Sequence, residues 1–368
     1  MQDVFVIGLA LFPAANAVRE LRLEEMAWRT VRAALDSSRV TRSQVDSLTI
    51  GACDELDGRP ISSMLMSAPS GGYLTDEIKV TDSGASALAF AHARFLAEET
   101  DLGLVVSWCK SSKTDVEKVM RLRGDPFYTR PLDLGAIAAD AMFAQAMQSE
   151  FGLTTGEVNE RVAAAYLRAS RNPRGMCHAA IPAREVGESS YDAVPVRTAQ
   201  RAPLTDGACA LVLASSGFLR RNPQCKALAR LAGVAWNTDS YRIDSNRLHA
   251  LSAARAAWSD ALGRAGLRNA NDFDVIELEA PTGWHEAAFV RAFGIERADT
   301  VSPSGGAFAQ NPIFCNGLVN AAEAVLQVAG QAGPVQLLRV RRAAAHGCHG
   351  LAQQGHVVAV FETPGVAA

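Results

Sequence analysis

The feature that most constrains this chain is an internal repeat. The segment EEMAWRTVRAALDSSRVTRSQVDSLTIGA reads as helix, polar loop, Asp and strand, and SAARAAWSDALGRAGLRNANDFDVIELEA repeats that order in the C-terminal part. Further on, VTDSGASAL is echoed by VSPSGGAF, and each leads to an Ala-rich helix. Solenoid units are far shorter, about 20–45 residues, so a repeat of this length indicates a duplicated domain. Such a chain must build two similar halves and pack them about a pseudo-twofold axis.

Within the N-terminal part, strands and helices alternate. DVFVIGLAL reads as a strand, and Leu23, Ala27, Val31 and Ala34 then share one helical face. VDSLTIGA and EIKVT follow as strands, ASALAFAHARFLAEE as a helix and LGLVVSW as a strand. The runs are β-branched and nearly continuously apolar, as in a sheet covered on both faces by helices. The last strands are expected around QLLRV and HVVAVFE. We place one half at 1–215 and the other at 216–368, with an Arg-, Pro- and Met-rich insertion at about 110–200 in the first. One clear helix in the insertion is opened by the capping-box pattern Thr154-x-x-Glu157. Pro126, Phe127, Tyr128 and Met142 are candidates to line a pocket there, or to pack ordinarily.

Composition narrows the functional classes. Of 368 residues, 48% are apolar and 20% charged, and the net charge of −3 gives no basic surplus for nucleic acid. No apolar run is long enough for a membrane, and no charged leader precedes the first strand, which points to the cytoplasm. The 7 cysteines form no CxxC pair and are expected to be reduced thiols, most of them buried. No metal is expected, because His346, Cys348 and His349 are too close in sequence to converge on one ion.

The stretch VTDSGASAL reads as strand, tight turn and helix start, a place where a helix N-terminus would acidify a thiol. Its apex is Gly84. Together with Pro203-Leu204-Thr205-Asp206-Gly207-Ala208, Ser302-Pro303-Ser304-Gly305-Gly306 and Cys348-x-Gly350, this turn resembles motifs of the thiolase superfamily, in order over nearly the whole chain. Asn311-Pro312 after the Gly-Gly turn looks most like the lipid-transfer-protein branch. The resemblance implies a duplicated, five-layered α-β-α-β-α sandwich and CoA thioesters as substrates, with no other cofactor. It also implies dimers through the N-terminal halves and a partner, either an OB-fold/zinc-ribbon protein or an active thiolase homologue.

The active-site positions depart from that pattern. Gly84 stands where the family carries its acylated cysteine, Leu278-Glu279-Ala280-Pro281 replaces a second motif, and Gln310-Asn311-Pro312 replaces Gly-His-Pro. Only His346-Gly347-Cys348-His349-Gly350 survives. Two-step thiolysis is excluded at Gly84, since glycine carries no nucleophile. A retro-aldol or retro-Claisen step needs only donors for a thioester enolate and a proton-transfer group. The candidate catalytic residues are therefore Cys348, His346, Asn311, Glu279 and His349, with Gly84, Ser86, Gly305 and Gly306 at the substrate. In this reading Asn311 supplies a donor, Cys348 or His346 moves the proton, and Gly84 leaves room for a bulky β-substituent. Ser86 is otherwise a helix cap, and Trp284 and His285 are packing residues. The alternatives are a non-catalytic subunit of a hetero-oligomeric thiolase and an acyltransferase that uses Cys348.

Overall fold

The computed structural model describes residues 2–58, 61–72 and 74–365. The strands of its central sheet, in chain order, are β1 Val4–Leu11, β2 Ser47–Gly51, β3 Asp76–Val80, β4 Leu102–Cys109, β5 Gly207–Ser215, β6 Ala229–Thr238, β7 Val275–Glu277, β8 Arg342–His349 and β9 Gly355–Glu362. The helices that matter here are α1 Leu23–Ser38, α2 Gly84–Leu96, α3 Val116–Arg123, α4 Ala136–Phe151, α5 Thr155–Ala169, α6 Ser252–Ala265, α7 Gly283–Ala292 and α8 Asn316–Val328.

The strand order is β3-β2-β4-β5-β1-β6-β9-β8-β7, and the repeat is visible in it. β2 runs parallel to β3 and β4, while β4–β5 and β5–β1 are antiparallel. Beyond the β1–β6 junction, β7–β8 is parallel and β8–β9 and β9–β6 are antiparallel. The place equivalent to β3 is held by a single parallel bridge, Ile276 to Val301.

α1 packs on β1 and β5, and α6 on β6 and β9, as the outer layers. Between the two sheet halves lie α2 and α8, packed on each other. All 13 residues of α8 are buried, as expected for a helix apolar on every side. The α/β class and layered architecture expected from the sequence are therefore present.

Backbones approach closely where the two central helices cross β8. A Cβ added to Gly347 would lie 2.4 Å from the Ala85 side chain, and one added to Gly317 would lie 2.7 Å from it. Only Gly and Ala fit there, so β8 reads RAAAHGCH and lacks the β-branched signature of a strand. The strand expected around QLLRV is accordingly displaced. Residues 336–340 form no strand, Leu338 is 94% exposed, and β8 starts at Arg342.

The insertion holds more helix than its one capping box announces. Thr154 does cap α5, its hydroxyl accepting from Glu157 N at 3.2 Å. α4 precedes it as a 16-residue helix whose Ala-rich sequence, AIAADAMFAQAMQSEF, carries little amphipathic pattern. Among the described residues, no helix is long and apolar enough to cross a membrane.

Candidate active site

A cavity of about 810 Å³ opens between the insertion and the C-terminal ends of the central strands. α3 and α4 contribute Glu117, Met120, Ile137 and Asp140 to its wall, and the 189–204 segment contributes Asp192, Thr198 and Arg201. The C-terminal half adds Glu279, Asn311, Phe314, Cys348, His349 and Gln353.

Four of the residues expected to be catalytic thus share one wall: Glu279, Asn311, Cys348 and His349. Each is set by backbone pairing. Cys348 N donates to Glu279 Oε2 at 3.0 Å, and its thiol points at the Glu279 carbonyl at 3.5 Å. Asn311 N donates to Thr205 Oγ1 at 3.0 Å, and its Nδ2 donates to Ala202 O at 3.3 Å. The Pro203–Ala208 motif therefore serves as an anchor. Asp206, fully buried, accepts from Val18 N and from the backbone and hydroxyl of Ser112, which fixes the 111–113 turn on the cavity wall.

His346 is not in the site. It faces the core side of β8, wholly buried, with Nε2 2.9 Å from His356 Nδ1 and its ring edge-on to Phe289 at 4.7 Å. Burial pushes its pKa down to about 3, so it is a neutral core residue and cannot move a substrate's proton. His285 is likewise a packing residue, stacked on Phe143 at 4.0 Å.

The four residues expected at the substrate also lie off the cavity wall. Ser86 sits in the first turn of α2, and the residue that caps this helix is Ser83, accepting from Ala85 N at 3.2 Å. Gly305 and Gly306 have φ of +89° and +54°. A Cβ on Gly305 would lie 2.4 Å from Ala169 Cα, so this glycine lets the turn pack on α5.

Gly84 has a different role from the one expected. A Cβ there would meet Leu318 Cβ at 2.7 Å and Ser107 Oγ at 2.8 Å. Ser107 is itself held by Gly51 O at 2.6 Å. The space is closed by protein and leaves no room for a β-substituent.

The side chain this turn does present is Asp82, which the sequence reading passed over. Asp82 is 2% exposed and pairs with Arg123 of α3, Oδ2 to Nη2, at 2.5 Å. Arg123 also reaches Glu55 at 3.1 Å and Cys53 Sγ at 3.4 Å, and lies over the Phe314 ring. The turn thus carries a buried carboxylate–guanidinium pair beside Gly84.

Protonation states follow from burial. Glu279 is pushed up to about 8 by desolvation, with the Asp82 charge adding to the rise and the Cys348 N–H opposing it. Near neutral pH it is mostly a carboxylic acid. Cys348 is driven well above 9 by burial and by the neighbouring carboxyls, so it is an unactivated thiol. His349 is held below its usual value by burial, the Asp82 and Arg123 charges acting in opposite senses on it, and its buried Nδ1 has no partner among the described residues.

With that geometry in view, known proteins can be set beside it. No protein-family model matches the chain. Over 218 residues it is 29% identical to acetyl-CoA acetyltransferase of Methanothermobacter thermautotrophicus, covering 54% of this chain and 56% of that protein. The match thus spans little more than half the length of that curated relative. Among solved structures, acetyl-CoA acetyltransferase of Syntrophomonas wolfei superposes with a TM-score of 0.79 at 15% identity, over 99% of this chain and 100% of that one. The Ltp2–ChsH2(DUF35) aldolase superposes at 0.81 and 15%, over 98% of each chain. Human mitochondrial 3-ketoacyl-CoA thiolase does so at 0.77 and 16%, over 99% of each.

The chain has the thiolase fold.

Two outcomes are expected for this thiolase-fold protein. Gly84→Cys should lower the melting temperature, because Ser107 and Leu318 cannot yield without disturbing the central helices. It should also give no acyl adduct in the intact mass after incubation with acetyl-CoA. A variant of unchanged stability that gains an acetyl group would show the position to be open.

The second outcome concerns pH. Because the folded protein holds the Glu279 carboxyl near 8 against an ordinary 4.5, folding favours its protonated form. That contribution is complete below the ordinary value and is lost as pH rises towards 8. Glu279→Gln should therefore be increasingly more stable than the wild type in urea titrations as pH is raised from about 5 to 8. A pH-independent difference would contradict the assignment.

Proposed function

We propose that this protein acts on acyl-CoA thioesters and breaks or makes the carbon–carbon bond β to the thioester by acid–base chemistry, without an acyl-enzyme. The observation that carries this reading is the exchange at the centre of the site. The turn is closed at Gly84 by Leu318 and Ser107, and its Asp82 is bound to Arg123, while the cavity wall keeps a carboxylic acid, Glu279, protonated near neutral pH. A neutral acid on the cavity wall can donate a proton or a hydrogen bond where enolate charge develops. Asn311 lies on the same wall, and its Nδ2 has a second N–H beyond the one bonded to Ala202 O, suited to the thioester oxygen.

The likeness to an aldolase and to thiolases fits a reaction that passes through such an enolate, which both chemistries share. Acylation of Cys348 is disfavoured by the high pKa of its thiol, which among the described residues is hydrogen-bonded to the Glu279 carbonyl and to no base or cation. The expected result is release of an aldehyde or ketone from a β-hydroxyacyl-CoA, read by mass spectrometry, with no covalent adduct on the protein. Thiolysis of a β-ketoacyl-CoA through a modified Cys348 would overturn the reading.

We also propose a homodimer through the N-terminal halves. β3 is paired on one side only, by β2, and its far edge is open for a second copy. Light scattering should give twice the chain mass, and replacing Ile78 with Pro, which disrupts the edge strand, should shift it towards the monomer. A monomeric wild type would rule this out. A further OB-fold/zinc-ribbon or thiolase partner belongs to the same proposal.

A further inference from the structure

One carboxylate on the cavity wall is both buried and only half engaged. Asp140 lies on α4, the one charged residue in the run AIAADAMFAQAM, and is 5% exposed. A buried carboxylate in an otherwise apolar helix is costly unless something requires it. Its Oδ2 accepts from Arg201 Nε at 3.2 Å. Among the described residues no donor engages its Oδ1, and that oxygen is not sealed in the protein, since Asp140 lines the cavity.

Arg201 is shared. Its Nη1 donates to Asp192 Oδ2 at 3.1 Å, and its Nη2 lies 4.0 Å from Glu117 Oε1. Its own segment is pinned to the Glu279 loop by an Arg201–Thr282 bridge and by Ala202 N to Pro281 O at 2.9 Å. Ala202 O also receives the Asn311 amide. A single stretch of backbone, residues 201–202, therefore ties Asp140, the Glu279 loop and Asn311 to one wall.

We propose that Asp140 is the general base of the reaction, held by Arg201 with its second oxygen turned to the cavity, and that Glu279 is the matching acid. This rests on the reading of the protein as a carbon–carbon lyase on β-hydroxyacyl-CoA. Asp140 Oδ1 takes the proton of the β-hydroxyl, and the O–H electron pair becomes the new C=O bond. The Cα–Cβ bond breaks and its electron pair enters the thioester enolate. Glu279 then protonates Cα, giving a shortened acyl-CoA and an aldehyde or ketone. The proton gained by Asp140 equals the one lost by Glu279, and exchange through cavity water restores both.

The charges around Asp140 come from several elements: Arg201 and Asp192 from the 189–204 segment and Glu117 from α3. The groups that reach it from α7 and β8, His285 stacked on Phe143 one turn along α4 and the Cys348 thiol, are uncharged. Burial raises its carboxyl to about 6, Arg201 pulling it down while Glu117 and Asp192 push it up. Base and acid thus differ in the sense the reaction needs, one mostly ionised and the other mostly protonated near neutral pH.

The test is steady-state release of the carbonyl product, with kcat and KM followed from pH 5 to 9. The wild type should lose kcat as pH falls through about 6. Asp140→Asn should fold normally, keep KM and lower kcat by about 100- to 10,000-fold. Asp140→Glu should keep the acid limb and regain part of kcat. Arg201→Lys should shift that limb, a change that a merely structural arginine would not cause. If the wild type turns over and Asp140→Asn retains its rate, or if Asp140→Glu loses the acid limb, this assignment falls while the lyase reading stands. If the wild type binds acyl-CoA but releases no carbonyl product from any β-hydroxyacyl-CoA, both fall together.

Discussion

Everything in this molecule is arranged around the contact of two buried helices with one strand. α2 and α8 meet β8 where Ala85, Gly317 and Gly347 leave no space for a further carbon atom. That approach sets the distance between the sheet halves and brings the ends of β8 and of the β7 strand to one place. Cys348 N then finds Glu279 Oε2, and the cavity wall is formed. The core residues nearby, including the His346–His356 pair, are dry and uncharged because the same contact excludes water from them.

The chemistry of the cavity follows from unequal desolvation of like groups. Glu279, with a single backbone donor, is held near 8, whereas Asp140, with a guanidinium beside it, is raised only to about 6. Two carboxyls on one wall are thereby set to opposite protonation states without a metal or a charged nucleophile. Asp82 adds to the rise at Glu279 although it is itself paired with Arg123.

The repeat and the alternating apolar runs made the fold legible, because each half must bury the same faces. The site was legible only in part. Glu279, Asn311, Cys348 and His349 stood out by motif, and all reach the cavity. His346 carries the same motif signal and shares the strand face of Cys348, but it lies two residues deeper in β8, beside Phe289 and His356 and short of the strand end that reaches the cavity. Asp82 escaped notice because a turn aspartate usually caps a helix, and here Ser83 does that work. Asp140 was hidden in an Ala-rich segment with no strong periodicity. A lone charge inside such a run was the available signal. Gly305, Gly306 and Gly84 match a binding motif by type, yet Gly305 and Gly84 serve close packing and Gly306 a positive φ, a distinction that lies in the neighbours and the backbone and not in the sequence.

The packing around Gly84 bears on how such a protein could change. In a site that had merely lost a thiol, one substitution would bring it back. Here Leu318 and Ser107 fill the place, and Asp82 is bound to an arginine from another element. Placing a nucleophile at this turn would require several coordinated replacements, and the first of them would give a less stable protein with no new activity. Selection acting one step at a time would find that route closed, so the packing around Gly84 behaves as a ratchet.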